Sequence, residues 1–233
     1  MTITLNVKEA SAMNAYVAYP KGDGLRPAIM IFQEAFGVNH HIRGFADRLA
    51  NEGYIAIAPE IFHRTAPPGF EVGYTDFSKV MEHYQAITTE GLINDIQATY
   101  DWLLTQKNVE KAKIGCIGFC LGGKVAFLAN SAVPLAASVA FYGGGMHTLT
   151  DRADKLSAPQ LLFWGGKDQH IKQEHILAVT DALKAAGKGF INVEISYADH
   201  AFFNDARASY HQQAAKEAWA MVKQFYRNKF GLD

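Results

Sequence analysis

From Pro27 onward, short apolar runs alternate with longer stretches of helical spacing, and this alternation limits the fold more than any other feature of the chain. Residues 27–32, 54–58, 114–118, 136–142, 160–164 and 190–197 read as strands, and residues 41–52, 92–106, 124–129, 173–186 and 210–230 as helices. Strands separated by helices are joined by crossovers, so the expected class is α/β: a mostly parallel, doubly wound sheet with helices on both faces. The leading residues 2–19 alternate as an antiparallel pair with a turn near 9–14. Residues 64–89, with Pro67-Pro68-Gly69, have no clear period and read as a loop or lid. There is no repeat or low-complexity linker, and 233 residues suffice for a single domain over 1–233. A chain of this length buries roughly 70% of its unfolded surface and requires no metal or disulfide staple.

One strand-to-helix junction carries chemistry. Ile114–Gly118 runs into Gly118-Phe-Cys120-Leu-Gly122, and helix-forming residues follow from Lys124. The serine form of this turn is the strained corner that lifts the nucleophile of α/β-hydrolases out of the sheet. Here the lifted residue is a cysteine, set at the positive end of a helix where a thiolate is favoured. The competing reading is a buried core thiol, since free cysteine is among the most buried residue types. A phosphate-loop reading of residues 118–124 fails, because Val125 stands where the required hydroxyl would be.

A thiol nucleophile requires a base, and the base an orienting acid, all at the carboxyl ends of strands. The run ending at Trp164 leads into Gly165-Gly-Lys-Asp168, and the run ending at Tyr197 leads into Ala198-Asp199-His200. Nucleophile, acid, histidine is the α/β-hydrolase order, which selects Cys120, Asp168 and His200. Each has an alternative: Asp168 as a turn or capping residue before Ile171, and His200 as a loop histidine. Asp199 is a rival acid, but adjacency leaves it badly oriented toward the ring of His200. Glu34, in Phe32-Gln-Glu34-Ala-Phe-Gly37, follows the first parallel strand; it is either a solvent-facing loop residue or a carboxyl tuned by desolvation beside the thiol. Ala35 and Leu121 would supply the two oxyanion-hole amides.

Composition excludes other classes. A net charge of −1 without a long basic run makes nucleic acid a poor partner. The first residues lack a signal-peptide core, and no apolar run approaches a membrane span. Cys116 and Cys120 are too close to make a plausible disulfide, which points to a reducing, cytoplasmic setting. Histidines 40, 41, 63, 83, 147, 170, 175 and 211 show no metal spacing, with His170 and His175 reading as surface, so neither metal nor cofactor is expected.

These segments, together with Phe141-Tyr-Gly-Gly and Tyr197-Ala-Asp-His-Ala-Phe, resemble the dienelactone hydrolase (carboxymethylenebutenolidase) family over nearly the whole chain. The resemblance implies an α/β-hydrolase fold, a Cys120–His200–Asp168 triad, and a resting thiol held near Glu34 until substrate arrives. It departs in one respect. The family members that open chlorinated dienelactones grip the substrate carboxylate with two arginines, whereas this chain has Asn204 four residues after His200 and no arginine between Arg64 and Arg152. Lys79 and Arg207 are off the matched positions, and lysine lacks the planar fork that grips a carboxylate. The expectation is an ester or lactone hydrolase acting through a thioester on a small molecule, as a monomer or small homo-oligomer. The alternatives are a broad esterase or thioesterase for uncharged substrates, and a non-catalytic sensor on the same scaffold.

Overall fold

The computed structural model describes residues 1–232. Its strands form an eight-stranded, mostly parallel sheet in the order β1-β2-β4-β3-β5-β6-β7-β8, and the chain divides into two compact units, Met1–Gly115 and Cys116–Asp233.

In the first unit, β1 (Thr2–Leu5) and β2 (Met13–Ala18) form the expected antiparallel pair, with Leu5 opposite Met13 and Glu9 in the left-handed region at the turn. β2 pairs antiparallel with β4 (Ile55–Pro59), and β4 pairs parallel with β3 (Arg26–Phe32). Every residue of β4 is buried, as its unbroken apolar run demands. Helix α1 (His40–Asn51) crosses between β3 and β4. Asn39 caps it by accepting the Ile42 N–H, and its apolar stripe Ile42, Phe45, Ala46, Leu49 and Ala50 faces inward.

Residues 64–89 are more ordered than their composition suggests. They contain a 3₁₀ turn at Phe77–Lys79 and a short helix, α2 (Met81–Gln85), and Glu71 makes an isolated bridge to Gly37. Helix α3 (Thr89–Thr105) starts three residues earlier than its apolar period, because the Thr88 hydroxyl accepts the Gly91 N–H. Asp95 on α3 is fully buried, with Arg64 bonded to both its carboxylate oxygens and His63 3.0 Å away.

Strand β5 (Val109–Phe119) is twice the length its apolar run indicates, since Glu110, Lys111 and Lys113 mask its first half. In the second unit its end leads into α4 (Leu121–Ala132). Strands β6 (Ala137–Phe141), β7 (Gln160–Gly165) and β8 (Phe190–Ile195) then run parallel to one another, with Phe141 opposite Phe163 and Phe163 opposite Val193. A 3₁₀ run at Met146–Lys155, α5 (Gln173–Ala185) and α6 (Gln212–Phe230) complete the unit. Aromatic rings fill its interior: Phe141 stacks 4.4 Å from Phe163 and 5.2 Å from Phe119, and lies tilted 4.7 Å from Phe203. Each such buried side chain contributes roughly 1.5–3 kcal/mol, so the strand ends rest on a rigid base. Among the described residues no helix is long and apolar enough to cross a membrane.

Candidate active site

Cys120 sits between β5 and α4 with φ 54° and ψ −115°, a backbone conformation that side-chain-bearing residues rarely adopt. Such a conformation costs of order 1–3 kcal/mol and persists only where the surroundings enforce it. The enforcement is visible. The Cys120 N–H donates to the Phe141 carbonyl at 3.0 Å, and the Cys120 carbonyl accepts the Gly123 N–H at 3.0 Å. A Cβ on Gly118 would collide with the Gly122 carbonyl, and one on Gly123 with the Phe141 carbonyl and Gly143. The glycines are therefore required by backbone crossing, and the turn presents residue 120 at the amino end of α4. Leu121, first in that helix, has an amide with no intrahelical acceptor.

Asp168 and His200 follow β7 and β8. The loops bearing them are laced together: Gly166 N–H donates to Ile195 O and Lys167 N–H to Ala198 O, both at 2.9 Å. Gly165 lies so close to the carbonyls of Ala198 and Asp199 that a Cβ there would overlap them. This brings His200 Nδ1 to 2.7 Å from Asp168 Oδ2, with the Asp168 side chain only 1% exposed. The capping alternative for Asp168 holds at the same time, through its other oxygen. Oδ1 accepts the backbone N–H groups of His170 at 2.7 Å and Ile171 at 3.2 Å. Asp199 spends its carboxylate on the backbone N–H of His200, not on the ring.

The imidazole of His200 also hydrogen-bonds Cys120. With Nδ1 committed to Asp168, that contact falls to Nε2. Burial works against the imidazolium, but the hydrogen bonds and charges of Asp168 and Cys120 outweigh it and lift His200 to about 10. Burial likewise opposes ionisation of Asp168. The His200 hydrogen bond and charge, with the two backbone amides, still hold its carboxyl below the ordinary carboxylate range. Two further strained residues adjoin this group, Tyr142 at φ 38° and Ala201 at φ 60°. The Tyr142 ring lies 5.0 Å from that of His200.

Cys116 is a different kind of thiol. It is fully buried, contacts Ser138 Oγ at 3.2 Å, and burial pushes it up to about 12. Both cysteines are free thiols. Among the described residues no cluster of three or more His, Cys, Asp or Glu is arranged to hold a metal ion.

In the other unit, Glu34 and Ala35 follow β3 and are both buried, so the solvent-facing alternative for Glu34 is excluded. The Gln33 side chain donates to the Glu34 carbonyl at 3.2 Å. The two stand-ins for the missing arginines differ in their surroundings. Lys79 is paired with Asp76 at 2.8 Å, and Arg207 is half-buried. Asn204 is fully buried and folds back to accept the Ala206 N–H at 3.0 Å.

Sequence reasoning missed two neighbours of His200. Tyr142 was visible only as part of a motif. His170 is exposed, as its position on a helix start suggests, yet its ring meets that of His200 at 5.2 Å.

The dienelactone hydrolase family model matches residues 13–230. A Synechocystis sp. protein named "Putative carboxymethylenebutenolidase" is 36% identical over 224 residues, covering 92% of this chain and 91% of its own. An Escherichia coli K12 protein of the same name is 34% identical, covering 94% and 83%. The crystal structure of a Klebsiella pneumoniae "Putative Dienelactone Hydrolase" superposes with a TM-score of 0.86 at 33% identity, over 97% of this chain and 98% of that one. A metagenomic dienelactone hydrolase-like promiscuous phosphotriesterase shares the fold at 23% identity, with a TM-score of 0.86 over 98% of each chain. With an α/β-hydrolase fold and a match across almost its full length, the chain is a hydrolase belonging to the dienelactone hydrolase family.

Proposed function

We propose that this hydrolase cleaves an ester or lactone of a small organic molecule through a thioester acyl-enzyme, with Cys120 as nucleophile, His200 as acid and base, and Asp168 as the orienting acid. One observation carries the reading. A single buried imidazole joins Asp168 at 2.7 Å to the thiol of Cys120, on a strained turn at a helix amino terminus.

As substrate binds, the thiol proton passes to His200, whose imidazolium the Asp168 carboxylate stabilises. The Cys120 sulfur attacks the carbonyl carbon, and the carbonyl electron pair moves onto oxygen, toward the Leu121 amide and, by family motif, that of Ala35. Collapse breaks the ester C–O bond, and the leaving oxygen takes the proton from His200. His200 then removes a proton from water. The hydroxide adds to the thioester, the C–S bond breaks, and the acid departs as the thiolate–imidazolium pair is restored. An enol leaving group, as in an enol-lactone, eases the first step. Glu34 is assigned the task of tuning the resting thiol. For Glu34 and Ala35 the support is the family motif and their burial.

A second reading, a carboxylesterase or thioesterase for uncharged substrates, is favoured by the pairing of Lys79 with Asp76 and the inward turn of Asn204. The test is hydrolysis of a dienelactone beside p-nitrophenyl acetate by wild type and Cys120→Ala. Dienelactone turnover lost in the variant supports the first reading, and thiol-dependent cleavage of the neutral ester alone supports the second. Turnover surviving in Cys120→Ala refutes both.

A further inference from the structure

The His200–Asp168 pair is nearly dry, and what keeps it so is specific. The Asp168 side chain is 1% exposed and that of His200 13%. The groups facing His200 are Asp168 from the segment before α5, Cys120 from the start of α4, Tyr142 after β6, and Asp199 through its bond to the His200 backbone. The remaining one is His170, whose ring stands at 79° to that of His200 with centroids 5.2 Å apart. Tyr142 is buried, so its ring is backed by protein. His170 is exposed, so its ring borders solvent on one side and His200 on the other. The same residue acts on the other partner, since its backbone N–H donates to Asp168 Oδ1 at 2.7 Å. His170 therefore touches both halves of the pair, the carboxylate with its main chain and the imidazole with its ring.

We propose that His170 is a positioning residue for the hydrolytic machinery: its ring caps the His200 imidazole and excludes water, while its amide fixes the Asp168 carboxylate that orients it. The proposal rests on the hydrolase reading above for its kinetic consequence, though not for its structural one. Its physical basis is that a hydrogen-bonded ion pair weakens as water enters, and full hydration returns an imidazolium toward its ordinary titration range. Removing the ring leaves the backbone amide in place, so the Asp168 contact survives and the effect of the cap is isolated.

The experiment compares wild type with His170→Ala and His170→Phe, the latter restoring a ring of similar breadth without its nitrogens. Expected for His170→Ala is a kcat on p-nitrophenyl acetate lower by roughly tenfold, as for a slightly misplaced catalytic group. The alkaline limb of its pH profile moves down by about one pH unit as the pair hydrates, while KM stays within about twofold, because the ring is not assigned to substrate binding. His170→Phe restores kcat and the position of the limb. In the substrate-free proteins, the proton NMR resonance of His200 Nδ1–H broadens through water exchange in the Ala variant and stays sharp in the Phe variant. An Ala variant with an unmoved limb and a sharp resonance overturns the proposal. So does a Phe variant as impaired as Ala, which would assign the role to the nitrogens of His170. If wild type cleaves no ester, the hydrolase reading fails by itself, and the NMR comparison alone decides whether His170 caps the pair.

Discussion

Asp168→Asn tests the arrangement most sharply, because the structure dictates how the new side chain must sit. Asp168 accepts three hydrogen bonds: the backbone N–H groups of His170 and Ile171 on Oδ1, and His200 Nδ1–H on Oδ2. Asparagine has one acceptor oxygen. Turned toward His200, it would aim its NH₂ at two fixed amide donors and leave both without their acceptor. Turned toward the amides, it presents NH₂ to Nδ1 and forces that nitrogen to accept. The second orientation wins. His200 then carries its proton on Nε2, facing the thiol, and cannot take the thiol proton. The equivalent change in a serine triad lowers kcat by about 10⁴. A thiol is intrinsically more acidic and nucleophilic than a hydroxyl and depends less on its base, so the expected loss here is about 10³, or about 4 kcal/mol of barrier. The assay is kcat/KM on p-nitrophenyl acetate, paired with ¹⁵N NMR of the His200 ring to read the tautomer. A loss below tenfold with the tautomer switched would refute Asp168 as the orienting acid. An unswitched tautomer would refute the reasoning about the two amides.

Three other changes have defined outcomes. His200 is raised to about 10, so its stabilising contacts are complete below its ordinary value of 6.5 and are lost as pH climbs through about 10. The melting temperature of wild type should therefore fall between pH 7 and pH 10 more steeply than that of His200→Gln, and parallel curves would contradict the pairing. Asp95→Ala strips the buried partner from Arg64 and His63. Breaking such a group costs about 3 kcal/mol, which at this chain length lowers Tm by roughly 6–12 °C, read by calorimetry; a change under 2 °C would show the network to be idle. Iodoacetamide at neutral pH should label Cys120 and leave Cys116 untouched, since burial and a pKa of about 12 withhold the latter. Peptide mass mapping that finds Cys116 alkylated in the folded protein would contradict its burial.

What the chain disclosed in advance follows from which forces act locally. The glycine spacing around Cys120 was readable because backbone crossing tolerates no Cβ at Gly118 or Gly123. The meeting of Asp168 and His200 was readable because each follows its own apolar strand. The 3₁₀ run at Met146–Lys155 was not: only Met146, Leu149 and Ala153 mark its buried face, too few to set it apart from a loop, and its backbone breaks at Leu149. The first half of β5 was hidden by surface charges that pair with each other, Lys113 with Glu110 at 3.0 Å. His170 was read as surface because nothing in the residues tells how the loop curls. That curl is set by Asp168 Oδ1, which draws in the amides of His170 and Ile171 and swings one ring over the other. Burial of Glu34 is not legible in the sequence, because a short charged loop looks alike in either setting.

The hydroxyl of Tyr226, on the last helix, donates to the carbonyl of Cys116 at 2.7 Å, across 110 residues of chain. Cys116 lies in the strand that delivers the Cys120 turn. During synthesis, every other element of the second unit is made before Tyr226 is added. A nascent chain halted short of α6 thus holds the Cys120 turn on a strand whose buried Cys116 carbonyl lacks the Tyr226 donor. The order of translation keeps this thiol from being fully set in place until the final helix docks.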